Sequence, residues 1–523
     1  MKSEIRQESM ITSAGKVSGA TFISRILGLI REQVTAYLFG AGNAVDAFKS
    51  AFRIPNLLRD LFAEGALSAG FVPIFSEKLK LSGREAAIRF ASLVFGALLV
   101  IVAAVVLALI WLSPELVSLI AGGFEDVAGK VEETILLSRV MMPFLLLISL
   151  ASMLMGVLNS LGRFGLPALA PALFNVAMIL TALLVTPWVN PPILSLAIGV
   201  LLGGLLQFGL QYLYLFRIGF RFGPVFQFLD RDLLRMLLLI LPMTVGLAAS
   251  QINVAVVTRI ASSEPGAVSY LDYAFRLLHL PLGLFAVAIA TVVLPRLSGE
   301  AAGGNATEFS RIHSQAIRLG AFLSLPAMVV MILLAEDICG GIYQYGRFSA
   351  QDAAATGRAL AFYSIGLPFF TLVRITVPAF YAQKDTRTPA LVAVSSVLVN
   401  VLLCLELRHY LGFAGLALAA ALAGAVNITL LTVLLRRKTR ISEDSQTILV
   451  LAKILASAGA MALLLFVLRP LLLTLGSSLL PNHLIGLALL LLIGLTSFLI
   501  MSYLLRIEEL QRFGNMMRAR FRK

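Results

Sequence analysis

Apolar residues in this chain come in long unbroken runs, not in the spacing of a half-buried surface helix or the alternation of a strand. No charge interrupts residues 90–113, 236–258 or 471–505, and each run meets or exceeds the roughly 20 apolar residues that a membrane-spanning helix requires. Residues 164–216 are also free of charge. There the run Pro187-Trp188-Val189-Asn190-Pro191-Pro192 separates two spans joined by a tight turn, with Trp188 placed as an interfacial anchor. Read throughout in this way, the pattern predicts an all-α polytopic membrane protein of about fourteen transmembrane helices. Their centres fall near residues 25, 55, 101, 147, 175, 204, 246, 282, 326, 368, 397, 424, 460 and 494. The polar start, residues 1–7, is not followed by the short apolar core and small-residue cleavage site of a signal peptide, so the first helix is expected to remain in the mature protein.

One stretch departs from the pattern. Residues 24–75 read as membrane helix yet carry Arg25, Arg31, Asp46, Arg53 and Arg59. An ionisable group near the bilayer centre costs at least roughly 2.5–3.5 kcal/mol, so several together are expected to face a polar cavity or one another. A hydrated, cationic cavity implies an anionic cargo.

Composition agrees with the membrane reading: 59% of residues are hydrophobic, 13% are charged and the mean hydropathy is +0.93. The net charge of +14 would suggest nucleic acid if it were clustered. Here it alternates between connections. One set of loops carries Lys78, Lys80, Arg84 and Arg89; Arg163; Arg217, Arg221 and Arg231; Arg296 and Arg311; Lys384 and Arg387; and Arg436, Arg437, Lys438 and Arg440. The opposite set is sparser, with Lys130 alone in the acidic loop of Glu125, Asp126, Glu132 and Glu133 and isolated Arg259, Arg347, Arg358, Arg408 and Arg469 elsewhere. The positive set belongs in the cytoplasm, which places both termini there and excludes nucleic acid as a partner. Cys339 and Cys404 fall near outer helix ends, where packing or pairing would both be permitted. Metal, redox and Walker-type phosphate motifs are absent, and no enzymatic activity is expected.

Correspondences recur at an offset of about 224 residues. Gly42 to Phe48 resembles Gly266 to Phe275 and aligns Asp46 with Asp272; Phe71-Val72-Pro73 matches Val293-Leu294-Pro295; Arg163 to Leu169 matches Arg387 to Leu391; and Asn175-Val176 matches Asn400-Val401. Six helices per unit would make the two repeats parallel. The expected organisation is an N-terminal lobe over 1–222 (helices 1–6), a C-terminal lobe over 223–440 (helices 7–12), and two additional helices with a basic cytoplasmic tail over 441–523.

These residues carry a resemblance. Ser24-Arg25-Ile26-Leu27-Gly28 with Arg31, the Phe39-Gly40-Ala41-Gly42 to Asp46-Ala47-Phe48 turn, Pro55-Asn56-Leu57-Leu58-Arg59 running into Phe62-Ala63-Glu64-Gly65-Ala66, Arg276 with Pro281 and Gly283, and the run from Tyr381 to Pro389 are similar to the bacterial MurJ (MviN) lipid II flippases. That family lies in the multidrug/oligosaccharidyl-lipid/polysaccharide exporter superfamily, and the likeness spans essentially the whole chain. It implies a flippase that carries lipid II, the undecaprenyl-diphosphate-linked peptidoglycan precursor, from the cytoplasmic to the periplasmic leaflet of the bacterial inner membrane. It implies alternating access, membrane lipids as neighbours and cell-wall synthesis proteins as candidate partners. Glu32 is a departure, because the family often has Asp after the arginine; carboxylate chemistry is kept.

By that resemblance the substrate-binding arginines are Arg25, Arg31, Arg59 and Arg276, to which Arg53 is added for its position beside Arg59. Arginine suits a diphosphate because its planar fork pairs with two oxygens and stays protonated. Glu32, Asp46 and Asp272 are gate or ion-pair candidates. Arg25 and Glu32, like Asp46 and Arg53, are seven apart, on nearly one helix face and about 10 Å apart along it. Other readings stand beside these: Arg31 and Arg59 at helix ends reaching an interface, and Asp46 and Asp272 as helix caps after Gly42 and Gly266. Pro55, Pro143, Pro242, Pro281, Pro368 and Pro378 are hinge candidates or ordinary membrane-helix prolines. The leucine-rich last two helices would flank a groove for the polyprenyl tail. No cofactor is expected. Energy would come from the membrane potential or a coupling ion, sodium or proton, with the metal unassigned and Asn400 and Thr388 the candidate oxygens for sodium. Arg374 lies within a span without a role. Two rivals remain at this level: an exporter of another lipid-linked oligosaccharide or of drugs on the same fold, and a non-transporting cell-wall scaffold.

Overall fold

The computed structural model describes residues 10–59, 66–439, 445–477 and 484–511. Every regular element among the described residues is a helix, and none of them forms a strand. In order the helices are α1 (Met10–Phe39), α2 (Asn43–Arg59), α3 (Ala66–Leu81), α4 (Gly83–Trp111), α5 (Ser113–Ala121), α6 (Lys130–Met141), α7 (Phe144–Ser160), α8 (Gly165–Leu184), α9 (Leu194–Arg217), α10 (Arg231–Ala261), α11 (Ala267–Ala302), α12 (Ala306–Leu333), α13 (Ala335–Tyr343), α14 (Ala350–Ile365), α15 (Leu367–Ala382), α16 (Arg387–Leu411), α17 (Phe413–Thr439), α18 (Ser445–Ser477) and α19 (Leu484–Leu504).

All fourteen expected centres fall inside a helix, but the count of fourteen spans is not established. Among the described residues ten helices are long and apolar enough to cross a membrane, or eleven if α14 and α15, bent by 43°, form one span. Part of the difference lies where the charges are. α1 carries Arg25, Arg31 and Glu32, and the single span expected near residue 55 is instead two short helices, α2 and α3, of 17 and 16 residues. The motif Phe62-Ala63-Glu64-Gly65 between them, Arg440, and the basic tail beyond Gln511 lie outside the described residues. The turn between α8 and α9 forms at the expected prolines and leaves Trp188 exposed.

Two compact units divide the chain, Met1–Ser269 and Tyr270–Lys523. In the first, Phe71, Phe75 and Phe90 stack at 5.3 and 5.5 Å and pack with Met153 and Leu154 of α7. The chain leaving α9 turns its extended segment back onto this core, burying Phe220 and Phe222, and the Val225 amide donates to the Ser92 carbonyl at 3.1 Å. Gly96 makes that approach workable: a Cβ there would sit 2.3 Å from the Val225 carbonyl oxygen.

The second unit packs the α18–α19 hairpin on α12 through Phe322, Leu325, Ile454, Met461 and Phe498. Arg318 and Glu509, both buried, lie 3.4 Å apart in this seam, and Arg469 meets Asp337 at 2.7 Å. Cys339 and Cys404 are buried free thiols, so packing, not pairing, accounts for them.

Element order repeats between the units. Each has a long helix, a nine-residue helix, a broken pair and two long helices: α4, α5, α6/α7, α8, α9 in the first, and α12, α13, α14/α15, α16, α17 in the second. Of the hinge candidates, Pro143 and Pro368 sit at the two breaks, where each starts the following helix. Pro55, Pro281 and Pro378 are carried inside continuous helices.

Candidate functional site: a buried charge relay on α1 and α2

Two polar stripes run along α1 and α2. Arg25, Gly28, Glu32 and Thr35 follow one another at helical spacing on α1, and Asp46, Lys49, Arg53 and Asn56 do so on α2. α1 lies against α8, where Asn175 donates to the Ser24 carbonyl at 3.1 Å and faces Gly28.

Glu32 is the centre of the first cluster. Its Oε1 accepts from Arg31 at 2.6 Å and its Oε2 from Lys49 at 2.8 Å, with all three side chains largely buried. Arg31 also lies over the Phe174 ring, 5.8 Å from its centroid, and within 3.8 Å of the Met178 sulfur. Arg31 is thus held inside the unit and is not reaching for an interface.

Asp46 organises the second cluster and is fully buried. Its Oδ1 accepts from the Ser269 amide at 2.9 Å and the Ser269 hydroxyl at 2.7 Å; its Oδ2 accepts from the Gly266 amide at 2.7 Å and from Lys130 at 3.1 Å. The carboxylate does cap a helix, but the helix is α11, not its own: it meets the amides at the N-terminus of α11, where the helix dipole favours an anion. Lys130, read from sequence as a lone loop charge, has a side chain only 2% exposed. Its ammonium touches Asp46, the Asn43 amide oxygen at 3.0 Å and the Phe124 ring face at 3.9 Å.

The expected arginines divide. Arg25 is exposed and Arg53 half-buried, and neither forms an ion pair or hydrogen bond with a described residue. Arg59, also half-buried, closes α2. In the second unit Arg276 bonds to Asp272 at 3.2 Å, one turn back on the same helix. Glu32 therefore holds Lys49 of α2 together with its neighbour Arg31, and Asp46 holds Lys130 of α6. Lys49 and Lys130 were missed because a lysine beside apolar residues reads as a loop or interface charge; the spacing of Lys49 three after Asp46 and four before Arg53 was the available signal.

Asn400 and Thr388 do not form one ion site. They lie twelve positions apart in α16, about 18 Å along the axis. Thr388 is engaged with Asp385, and Asn400 accepts a weak bond from Cys404. No group of three His, Cys, Asp or Glu converges among the described residues. Arg374 is exposed on α15.

In the loop between α15 and α16, Asp385 accepts from Lys438 at 2.6 Å and from the Thr388 amide and hydroxyl, which pulls its carboxyl down to about 2. A depressed carboxyl contributes stability above the ordinary range near 3.8 and loses it as pH falls through about 2. Asp385→Asn is expected to lower the thermal midpoint of purified protein by about 1–2 °C at pH 7, with the difference from wild type narrowing between pH 4 and pH 2.

A further feature lies in the second unit: an apolar groove of about 510 Å³ between α18 and α19, lined by Ala460, Leu463, Leu464, Val467, Ser497, Ile500 and Met501.

The sequence profile of the family described as Lipid II flippase MurJ matches residues 35–500. The chain belongs to that family. A Rhizobium meliloti (strain 1021) protein named "Probable lipid II flippase MurJ" is 37% identical over 465 residues, which cover 88% of this chain and 86% of the relative. The Burkholderia cenocepacia "Lipid II flippase MurJ" is 34% identical over 427 residues, covering 81% and 82%. Among solved structures, "Lipid II flippase MurJ, inward closed conformation" superposes with a TM-score of 0.79 at 29% identity, over 93% of this chain and 98% of that one. An inward-facing multidrug transporter of the MATE family and MOP superfamily shares the fold, with a TM-score of 0.67 at 15% identity. The chain is thus a multi-span membrane protein of a transporter family.

Proposed function

We propose that this protein is a lipid II flippase of the bacterial inner membrane. The observation that carries the reading is the match to the family over residues 35–500, and the site chemistry supports it. Between residues 25 and 59 the chain carries five basic side chains, Arg25, Arg31, Lys49, Arg53 and Arg59, against two carboxylates, Glu32 and Asp46. An excess of cations in membrane-embedded helices suits a diphosphate and disfavours a cationic drug. Arg25 and Arg53 stand ready to take phosphate oxygens, while Arg31 is exchanged from Glu32. Arg276, paired with Asp272 on its own helix, completes the set from the second lobe.

A lipid-linked cargo also has a long apolar tail that must stay out of water. The groove between α18 and α19 suits that tail: it is apolar, and it is built from the leucine-rich pair outside the repeat. The lobes are residues 1–222 and 223–440, with 441–523 added, and both termini face the cytoplasm. Alternating access opens one end of the lobes at a time. The Asp46 contacts with Gly266 and Ser269 form one latch that must break in that cycle, and the membrane potential or a coupling ion resets the carrier.

The test is rescue of a bacterium depleted of its own lipid II flippase. Growth and normal shape on expression of this chain support the reading. Lysis despite full-length protein in the membrane would reject it.

A further inference from the structure

We infer that Lys130 is the resident counter-ion of Asp46 and sets how readily α2 releases the first turn of α11. The inference rests on the reading that this latch breaks during transport.

Asp46 has four donor contacts of two kinds. The Gly266 amide, the Ser269 amide and the Ser269 hydroxyl belong to the start of α11 and leave together if that turn moves. Lys130 belongs to α6 and stays, because α2 and α6 are packed along their length and the lysine is fixed on its other sides by Asn43 of α2 and by the Phe124 ring. When the turn departs, the carboxylate loses its three α11 groups at once. A buried carboxylate with no partner is strongly unfavourable, so without the lysine the open state would be almost inaccessible. With the lysine in place, the same carboxylate remains neutralised in both states, and the latch exchanges only its hydrogen bonds.

The two charges therefore act on the latch in opposite directions. Removing the lysine leaves α11 as the remaining source of compensation for Asp46 and holds the latch shut. Removing the charge of Asp46 weakens the cap on α11 and lets it open. A merely structural role for Lys130 predicts the reverse for its own variant, since a looser junction opens more.

The test uses the full chain in detergent with Cys339 and Cys404 replaced by Ala and a reporter introduced as Val268→Cys. Val268 is buried in the first turn of α11. The rate of reaction with a maleimide reports the fraction of time the turn is released. Lys130→Met is expected to slow labelling about tenfold, and Asp46→Asn to speed it by a similar factor. The pair Asp46→Asn with Lys130→Met should label like Asp46→Asn alone, and Lys130→Arg should stay close to the parent. Labelling of Lys130→Met at the parent rate or faster would overturn the inference, as would slow labelling of the doubly neutral protein. No cargo enters this experiment, so failed cell rescue with the expected labelling order removes only the assigned cargo. A reversed order with rescue intact removes only the role of Lys130.

Discussion

Glu32→Ala is expected to destabilise the purified protein by about 3 kcal/mol. Two buried cations, Arg31 and Lys49, converge on the separate oxygens of this carboxylate at 2.6 and 2.8 Å. Removing it leaves two positive charges side by side, each deprived of that carboxylate. The loss should appear as a fall of several degrees in the thermal midpoint in detergent. Glu32→Asp should fall between the two, because the charge survives while one methylene of reach is lost. A double-mutant cycle with Lys49→Met separates pairing from packing: if Glu32→Ala costs much less in the Lys49→Met background, the ion pair is the cause. Equal cost in both backgrounds would show that the Lys49 pair contributes nothing to it.

Arg25→Ala and Arg276→Ala are expected to abolish rescue of flippase-depleted cells at matched membrane abundance, with little change in thermal midpoint. Arg25 has no described partner to lose, and the Arg276–Asp272 pair is partly exposed and screened. Each would instead lose charge-assisted bonds to phosphate, worth about 1.5–3 kcal/mol, or roughly ten- to hundredfold in cargo affinity. Lysine at either position should restore part of the function, since it keeps the charge but not the two-pronged geometry. Arg53→Ala should behave in the same way. Full rescue by the alanine variants would sink the arginine mechanism, and a collapse in stability would reassign these residues to folding.

Much of this architecture could be read from the order of residues. Hydrocarbon thickness imposes a length on each apolar run, so the long helices from α4 onward follow from where charges and prolines stop the runs, as at the Pro187 to Pro192 turn, while the short α5, α6, α13 and α14 do not. The first 80 residues resisted that logic. There α2 and α3 are short, and the charges that break the apolar signal are satisfied by partners far along the chain, such as Lys130 for Asp46, 84 positions away. Spacing within one helix shows which residues share a face, and it placed Asp46 and Arg53 together. It carries no information about which residue of another helix fills the opposite side. Asp46 as a cap was therefore legible, while the capped helix, α11, was not. The same limit applies to the proposed sodium oxygens: Asn400 and Thr388 were chosen by residue type, and helix rise alone keeps them apart.

The most direct measurement of the central claim is movement of a labelled lipid II analogue across the membrane of vesicles holding the purified chain, read by quenching from the outside. Wild-type vesicles should expose the inner-leaflet label well above protein-free controls, and vesicles with Arg25→Ala or Arg276→Ala should not. Movement by both arginine variants at the wild-type rate, or none by folded wild-type protein under an imposed membrane potential and either cation gradient, would contradict the account.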